Sequence, residues 1–176
     1  MPWHALELLP DAATRAWAER DWAALQTAGL ASQADHGGAT NQPHVTLYSG
    51  PQVSEQVEQL AARVFAPLLP ARVRVGGVLL LGQERVVLAR HVQVDEALLG
   101  AYLRVTAAAG QGAPRRHLGW TPHLTLARRM PADQVSRALE VLQPAGERDV
   151  VLEVLRRWDP DAGHAHQLVP MQGAWR

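Results

Sequence analysis

A pentapeptide occurs twice in the chain: Pro-His-Val-Thr-Leu at 43–47 and Pro-His-Leu-Thr-Leu at 122–126. By the chain's own residue frequencies, one such match is expected about 0.003 times by chance. Two matches therefore mark a duplication, and a duplicated chain must build two similar units that bury their apolar faces together. The surroundings repeat as well. Ahead of the first copy, an alternating segment from Trp3 to Leu9 leads through Pro10-Asp11 into a helical stretch that reaches about Ala28 and is closed by Gly29. Ahead of the second, Arg85 to Val92 alternates and a helix runs from about Glu96 to Ala109, closed by Gly110. After the first copy, Val57, Leu60, Ala61, Val64, Phe65 and Leu68 fall at helical spacing; after the second, Pro131 opens a helix carrying Val135, Ala138, Leu139 and Leu142.

Strands are then expected at Arg72–Leu81 and Val150–Trp158, with a last one at about His166–Met171. The fold class that follows is α+β: two β-α-β-α-β halves, related by a pseudo-two-fold axis, with antiparallel-rich sheets lining a central cleft and helices outside. The 176 residues form a single bilobal domain, its lobe-forming halves at approximately 1–82 and 83–176. Gly82-Gln83-Glu84 reads as a tight turn at the boundary, and Arg72–Val92 as a possible hairpin across it. The loosest segments are the Gly-rich polar loops ahead of each motif, Ser32 to Gln42 and Gly110 to Gly119.

Along a strand, residues i and i+2 share a face. His44 and Thr46 therefore point one way and Val45 and Leu47 the other; His123 and Thr125 are set against Leu124 and Leu126 in the same manner. If the halves face each other, two imidazoles and two hydroxyls converge. Two histidines can hold complementary protonation states, one accepting a proton while the other donates, as in-line displacement at phosphorus requires. Threonine hydroxyls can donate to the non-bridging oxygens as charge grows there.

Composition narrows the alternatives. The chain has no cysteine, lysine or isoleucine, and all 17 basic residues are arginine against 17 acidic ones. No thiolate nucleophile, Cys-ligated metal, Schiff base or lysyl–nucleotide intermediate is possible. Formal neutrality argues against coating long nucleic acids, while a local Arg cluster can still grip a few phosphates. The N-terminal MPWHALELLPD lacks a basic n-region and meets Glu7 too early for a secretory segment, so the expected location is cytoplasmic. The longest apolar stretch, around Val75 to Leu81, is far short of a membrane span.

The two PHxTL segments, 79 residues apart from His44 to His123, and the repeated order of elements around them resemble the 2H phosphoesterase superfamily, specifically its 2′-5′ RNA ligase and RNA 2′,3′-cyclic phosphodiesterase branch. The resemblance covers nearly the whole chain. It implies a metal-independent, cofactor-free enzyme that opens 2′,3′-cyclic phosphate ends of RNA to 2′-phosphomonoesters and sometimes joins RNA ends by the reverse step. By this analogy His44 donates a proton to the leaving 3′ oxygen, His123 activates water, and Thr46 and Thr125 hold the phosphate. Other readings keep a small cyclic nucleotide or a 2′-5′ oligoadenylate as substrate, or a non-catalytic pocket for RNA ends or nucleotides. A monomer is expected.

Further substrate contacts are candidates by position. Tyr48 continues the His44 face at i+4, to stack on a base or ribose or to pack at the rim. Arg129 lies on the His123 face at i+6 and Arg128 points away, unless a bulge swaps them; the family often carries an Arg directly after the motif, which Arg128 matches. Arg115 and Arg116 form a basic loop with His117, near Trp120, which either stacks on a base or packs. His164 and His166 share a strand face, and a strand end explains them better than a metal site.

Overall fold

The structure, a computed structural model, describes residues 3–38, 40–110, 119–142 and 146–169. Seven strands and four helices follow in the order β1 (His4–Pro10), α1 (Ala12–Thr27), β2 (Val45–Gly50), α2 (Glu55–Phe65), β3 (Ala71–Gly82), β4 (Arg85–Gln93), α3 (Glu96–Ala109), β5 (His123–Pro131), α4 (Val135–Leu142), β6 (Arg148–Asp159) and β7 (His164–Val169). Side-chain caps set the helix starts: Asp11, Ser54 and Asp95 each accept from a backbone N–H in the first turn of α1, α2 and α3. Gly29, at φ 71, follows the end of α1 in the left-handed conformation.

All strand pairs are antiparallel and belong to one seven-stranded sheet, ordered β2-β1-β6-β3-β4-β5. The spine is β6. One edge of β6 pairs with β1, while along the other β3 takes Arg148–Leu152 and β7 takes Leu155–Asp159. The β3–β4 hairpin turns at Gly82, whose φ of 113 is open to glycine and strained for other residues.

The two halves of the sequence interlock. From the first, β3 pairs with β4, and α1 packs against α4 and β5; from the second, β6 pairs with β1, and α3 packs against α2 and β2. One apolar cluster accordingly joins Val45 and Leu47 with residues of α2, α3 and β6, and the other joins Trp22 and Leu25 of α1 with Val86, Leu88, Leu126 and Met130. Val45 and Leu47 are buried as alternation predicts, each contributing about 1.5–3 kcal/mol. Beside Trp22, α1 is also held by a largely buried ion pair. Arg90 on β4 donates to Asp21 at 3.0 Å and lies 5.1 Å from the centre of the Trp17 ring. Burial holds the Asp21 carboxyl above its usual range, against the opposing pull of Arg90.

The segment from Ser32 to Gln42, expected to be loose, is knitted down among its described residues. Ser32 and Asp35 form a capping box, Ser32 Oγ donates to the Trp22 carbonyl, and the Asn41 amide donates to the carbonyls of Gln33 and His36. Polar composition suggested a solvated loop; here the polar groups satisfy one another locally. The second loop, with Arg115, Arg116 and His117, lies outside the described residues, as does the end of the last strand beyond Val169.

Candidate active site

The two motif strands occupy the two ends of the strand order, so half of their backbone groups have no strand neighbour. At each end an indole N–H donates to the carbonyl of the motif threonine: Trp22 to Thr125 at 2.9 Å and Trp120 to Thr46 at 3.0 Å. The interlock thus reaches the motifs themselves, since the Trp22 that secures the second motif comes from α1. Trp120 also stacks on Tyr102, centroids 4.2 Å apart.

The imidazoles are held alike. His44 Nδ1 donates to the carbonyl of Gln42 and His123 Nδ1 to that of Thr121, both at 2.7 Å. A carbonyl only accepts, so each ring carries its fixed proton on Nδ1 and keeps Nε2 for exchange.

Both motif strands carry a bulge at the same point. Glu7 pairs with Thr46 and Leu6 with Tyr48, leaving Leu47 extra; Ala89 pairs with Thr125 and Leu88 with Ala127, leaving Leu126 extra. Strict alternation therefore ends at each threonine. Tyr48 does not line the cavity described next; its ring packs on the core, its hydroxyl lies over Gly50, and burial raises its pKa. On β5, Leu126 and Ala127 are both buried, and a second irregularity follows at Arg129, whose φ is 56. The bulge exchanges the two arginines: Arg128 faces the cavity, while the Arg129 carbonyl accepts from Arg85.

A cavity of about 520 Å³ opens beside the first motif. His44 lines it from just ahead of β2, Thr46 and Ser49 from β2 and Arg128 from β5, and Trp3 and Trp158 add aromatic walls. Ser49 and Arg128 each stand three residues beyond a motif threonine. Glu7 and Arg156 complete the lining. Glu7 is buried in the middle of β1; Arg156 Nε donates to its Oε2 at 2.7 Å, and its Oε1 stands 3.4 Å from His44 Nε2. Arg156 also donates to the Thr40 carbonyl at 3.0 Å, and with Thr40 it borders a second cavity of about 450 Å³. Sequence reasoning missed Glu7, Arg156 and Trp158. The signal was available: a carboxylate within the apolar run Ala5–Leu9 and two arginines within Val150–Trp158 need partners if those strands are buried.

A separate polar cluster lies at the far end of β6. Arg157 pairs with Glu58 and with Asp159 at 2.7 Å, and donates to His4 Nδ1 at 2.9 Å; His4 Nε2 then donates to Asp161 at 3.1 Å. His4, Asp159 and Asp161 bring ligand atoms within 4.8 Å of one another, but the Arg157 guanidinium already occupies the donor side of that group. His166 Nε2 lies 3.5 Å from Glu58, and its ring is 5.9 Å from that of His164.

Among the described residues, no helix is long and apolar enough to cross a membrane. Solved structures share this fold. TT0787 of Thermus thermophilus superposes with a TM-score of 0.56 at 18% identity, over 96% of this chain and 98% of that one. Escherichia coli LigT complexed with 3′-AMP gives 0.53 at 16% identity, over 94% and 93%. Kluyveromyces marxianus Usb1 gives 0.50 at 16% identity, over 95% and 97%. No curated protein matches by sequence. The model of the 2′-5′ RNA ligase superfamily matches residues 11–161, which include both motifs, and with this fold around them the chain belongs to that superfamily, the 2H phosphoesterases.

Proposed function

We propose that the protein is a metal-independent RNA 2′,3′-cyclic phosphodiesterase with His44 and His123 as its acid and base. The observation that carries this reading is the matched presentation of the two imidazoles: each is fixed through Nδ1 to the carbonyl two residues before it, on strands bulged at the same position. In the forward step, His123 Nε2 takes a proton from water as the oxygen attacks phosphorus. The bond from phosphorus to O3′ breaks with its electron pair on that oxygen, and the Nε2 proton of His44 passes to it. Water is added across one P–O bond, leaving a 2′-phosphomonoester and a free 3′-hydroxyl; solvent exchange resets the two rings. If the 5′-hydroxyl of a second RNA end attacks phosphorus in place of water, the same displacement of O3′ leaves a 2′-5′ phosphodiester without ATP, and without the lysyl–nucleotide intermediate that a chain lacking lysine cannot form.

Thr46 and Thr125 donate to the non-bridging oxygens, and Arg128 supplies positive charge from the cavity wall. Trp3 and Trp158 offer faces for the terminal base, and the second cavity beyond Arg156 has room for the adjoining nucleotide. The nucleotide 3′-AMP in the similarly folded LigT supports a nucleotide as the ligand class. A cyclic-phosphate-terminated oligonucleotide incubated with excess EDTA should give a 2′-phosphate product, with a bell-shaped pH profile. Loss of turnover with chelator, or a 3′-phosphate product, overturns the reading.

A further inference from the structure

The pairing of β1 with β6 joins the two cavities into one groove. Side chains two residues apart on a strand share a face, and on one face of this ladder the cross-strand pairs are Ala5–Trp158, Glu7–Arg156 and Leu9–Val154. The first pair lines the cavity beside His44 and the third lines the second cavity, of about 450 Å³. Between them, Arg156 and the Thr40 whose carbonyl it holds border both. The Glu7–Arg156 ion pair leaves the middle of the groove floor without net charge. Each step from pair to pair is about 7 Å, a distance that one phosphodiester linkage can span.

The lining of the second cavity suits a nucleoside with one charged linkage. Leu9, Pro43 and Val154 give it apolar walls, and the amides of Gln42 and Gln167 can hydrogen-bond the edge of a base. Arg15 of α1 and Glu153 line it with opposite charges, so it has no net field to gather a free polyanion. Arg15 forms no ion pair among the described residues, which leaves its guanidinium open to a singly charged phosphodiester. The segment between the cavities also carries His44. Gln42 lines the second cavity while its carbonyl holds His44 Nδ1, and Arg156 holds the carbonyl of Thr40 two residues earlier. A nucleoside seated against Gln42 therefore steadies the segment that orients the ring, and its binding is expressed in kcat as well as in KM.

We propose that the second cavity is the subsite for the nucleotide on the 5′ side of the cyclic phosphate, with Arg15 at the linking phosphodiester, and that it makes the protein selective for RNA ends over free cyclic nucleotides. The inference rests on the phosphodiesterase reading above and narrows its substrate class. The test compares adenosine 2′,3′-cyclic phosphate with the dinucleotide UpA ending in a 2′,3′-cyclic phosphate. The expected kcat/KM is about tenfold or more higher on the dinucleotide. Arg15→Glu should abolish most of that preference while leaving the mononucleotide value within about twofold, and Arg15→Lys should retain part of it. An uncharged methylphosphonate in place of the linking phosphodiester should cost the wild type several-fold and Arg15→Ala nothing, which isolates the pair from the rest of the groove.

Equal kcat/KM of the wild type on the two substrates, or Arg15 variants that lose equally on both, overturn the proposal. Calorimetry with the two products, adenosine 2′-phosphate and UpA 2′-phosphate, reads the subsite without turnover. The dinucleotide should bind about tenfold tighter to the wild type and lose that advantage in Arg15→Glu. Equal dissociation constants in the wild type overturn the proposal. Absence of turnover by the wild type on both substrates would overturn the phosphodiesterase reading instead, and the calorimetric comparison still decides the subsite.

Discussion

Replacing Trp22 by Phe tests whether the interlock holds the second motif in place. The ring is 5% exposed, sits among Leu126, Met130 and Leu88, and donates to the Thr125 carbonyl at 2.9 Å. Phenylalanine keeps an aromatic ring and loses the N–H. The orphaned carbonyl costs about 1–3 kcal/mol. The smaller ring leaves space worth about 1 kcal/mol. Together these predict a loss of about 2–4 kcal/mol, or roughly 5–15 °C in Tm for a chain of this size. Urea unfolding followed by far-ultraviolet circular dichroism gives the free energy, and calorimetry the Tm. Because Trp22 holds the motif from behind, through the Thr125 carbonyl and the buried Leu126, kcat on a cyclic phosphate should fall in the folded variant, with KM changing less. A variant within about 0.5 kcal/mol of wild type, with unchanged kcat, would refute the assignment of Trp22 as the anchor of β5.

Other outcomes follow from single features. His44→Ala and His123→Ala should each lower kcat by about 10²–10⁴ without unfolding the protein, measured with EDTA present. Arg129→Gly should stabilise by about 0.5–1 kcal/mol in urea, because the residue sits at φ 56 with its side chain exposed. Gly82→Ala should destabilise by about 1–3 kcal/mol, since its φ is 113 and an added Cβ would lie 2.7 Å from the Arg85 carbonyl oxygen. Asp159 has its pKa lowered from 3.8, chiefly by the Ala162 backbone N–H and also by Arg157. Its contribution should therefore be present above that ordinary value and vanish as pH falls through the lower folded one. The gap in urea midpoint between wild type and Asp159→Asn should close on acidification, and a gap independent of pH would contradict this.

The motifs and helices were legible because their signals are local. Asp95 and Gly110 bracket α3, and its expected bounds coincide with those observed. His44, Thr46 and the buried Val45 and Leu47 follow from two-residue periodicity alone. What was not legible depends on pairing. The bulges at Leu47 and Leu126 turn Tyr48 onto the core and bring Arg128 to the cavity, and a bulge is a property of two strands, which a single strand's residues do not encode. The Glu7–Arg156 pair joins residues 149 positions apart. The interlock was equally hidden, because two halves with the same order of elements can sit side by side or exchange their members with no change in pattern.

The position of β6 has a consequence for how the protein is made. This strand separates β1 from β3 and carries β7, yet it comes late in the chain. A nascent polypeptide leaving the ribosome can form α1, the β1–β2 pair and the β3–β4 hairpin, but those strand pairs share no sheet until β6 appears. The buried carboxylate of Glu7 waits for Arg156 over the same interval. Such distant pairings predict slow, all-at-once closure of the sheet, with both histidines brought into working order in the final step.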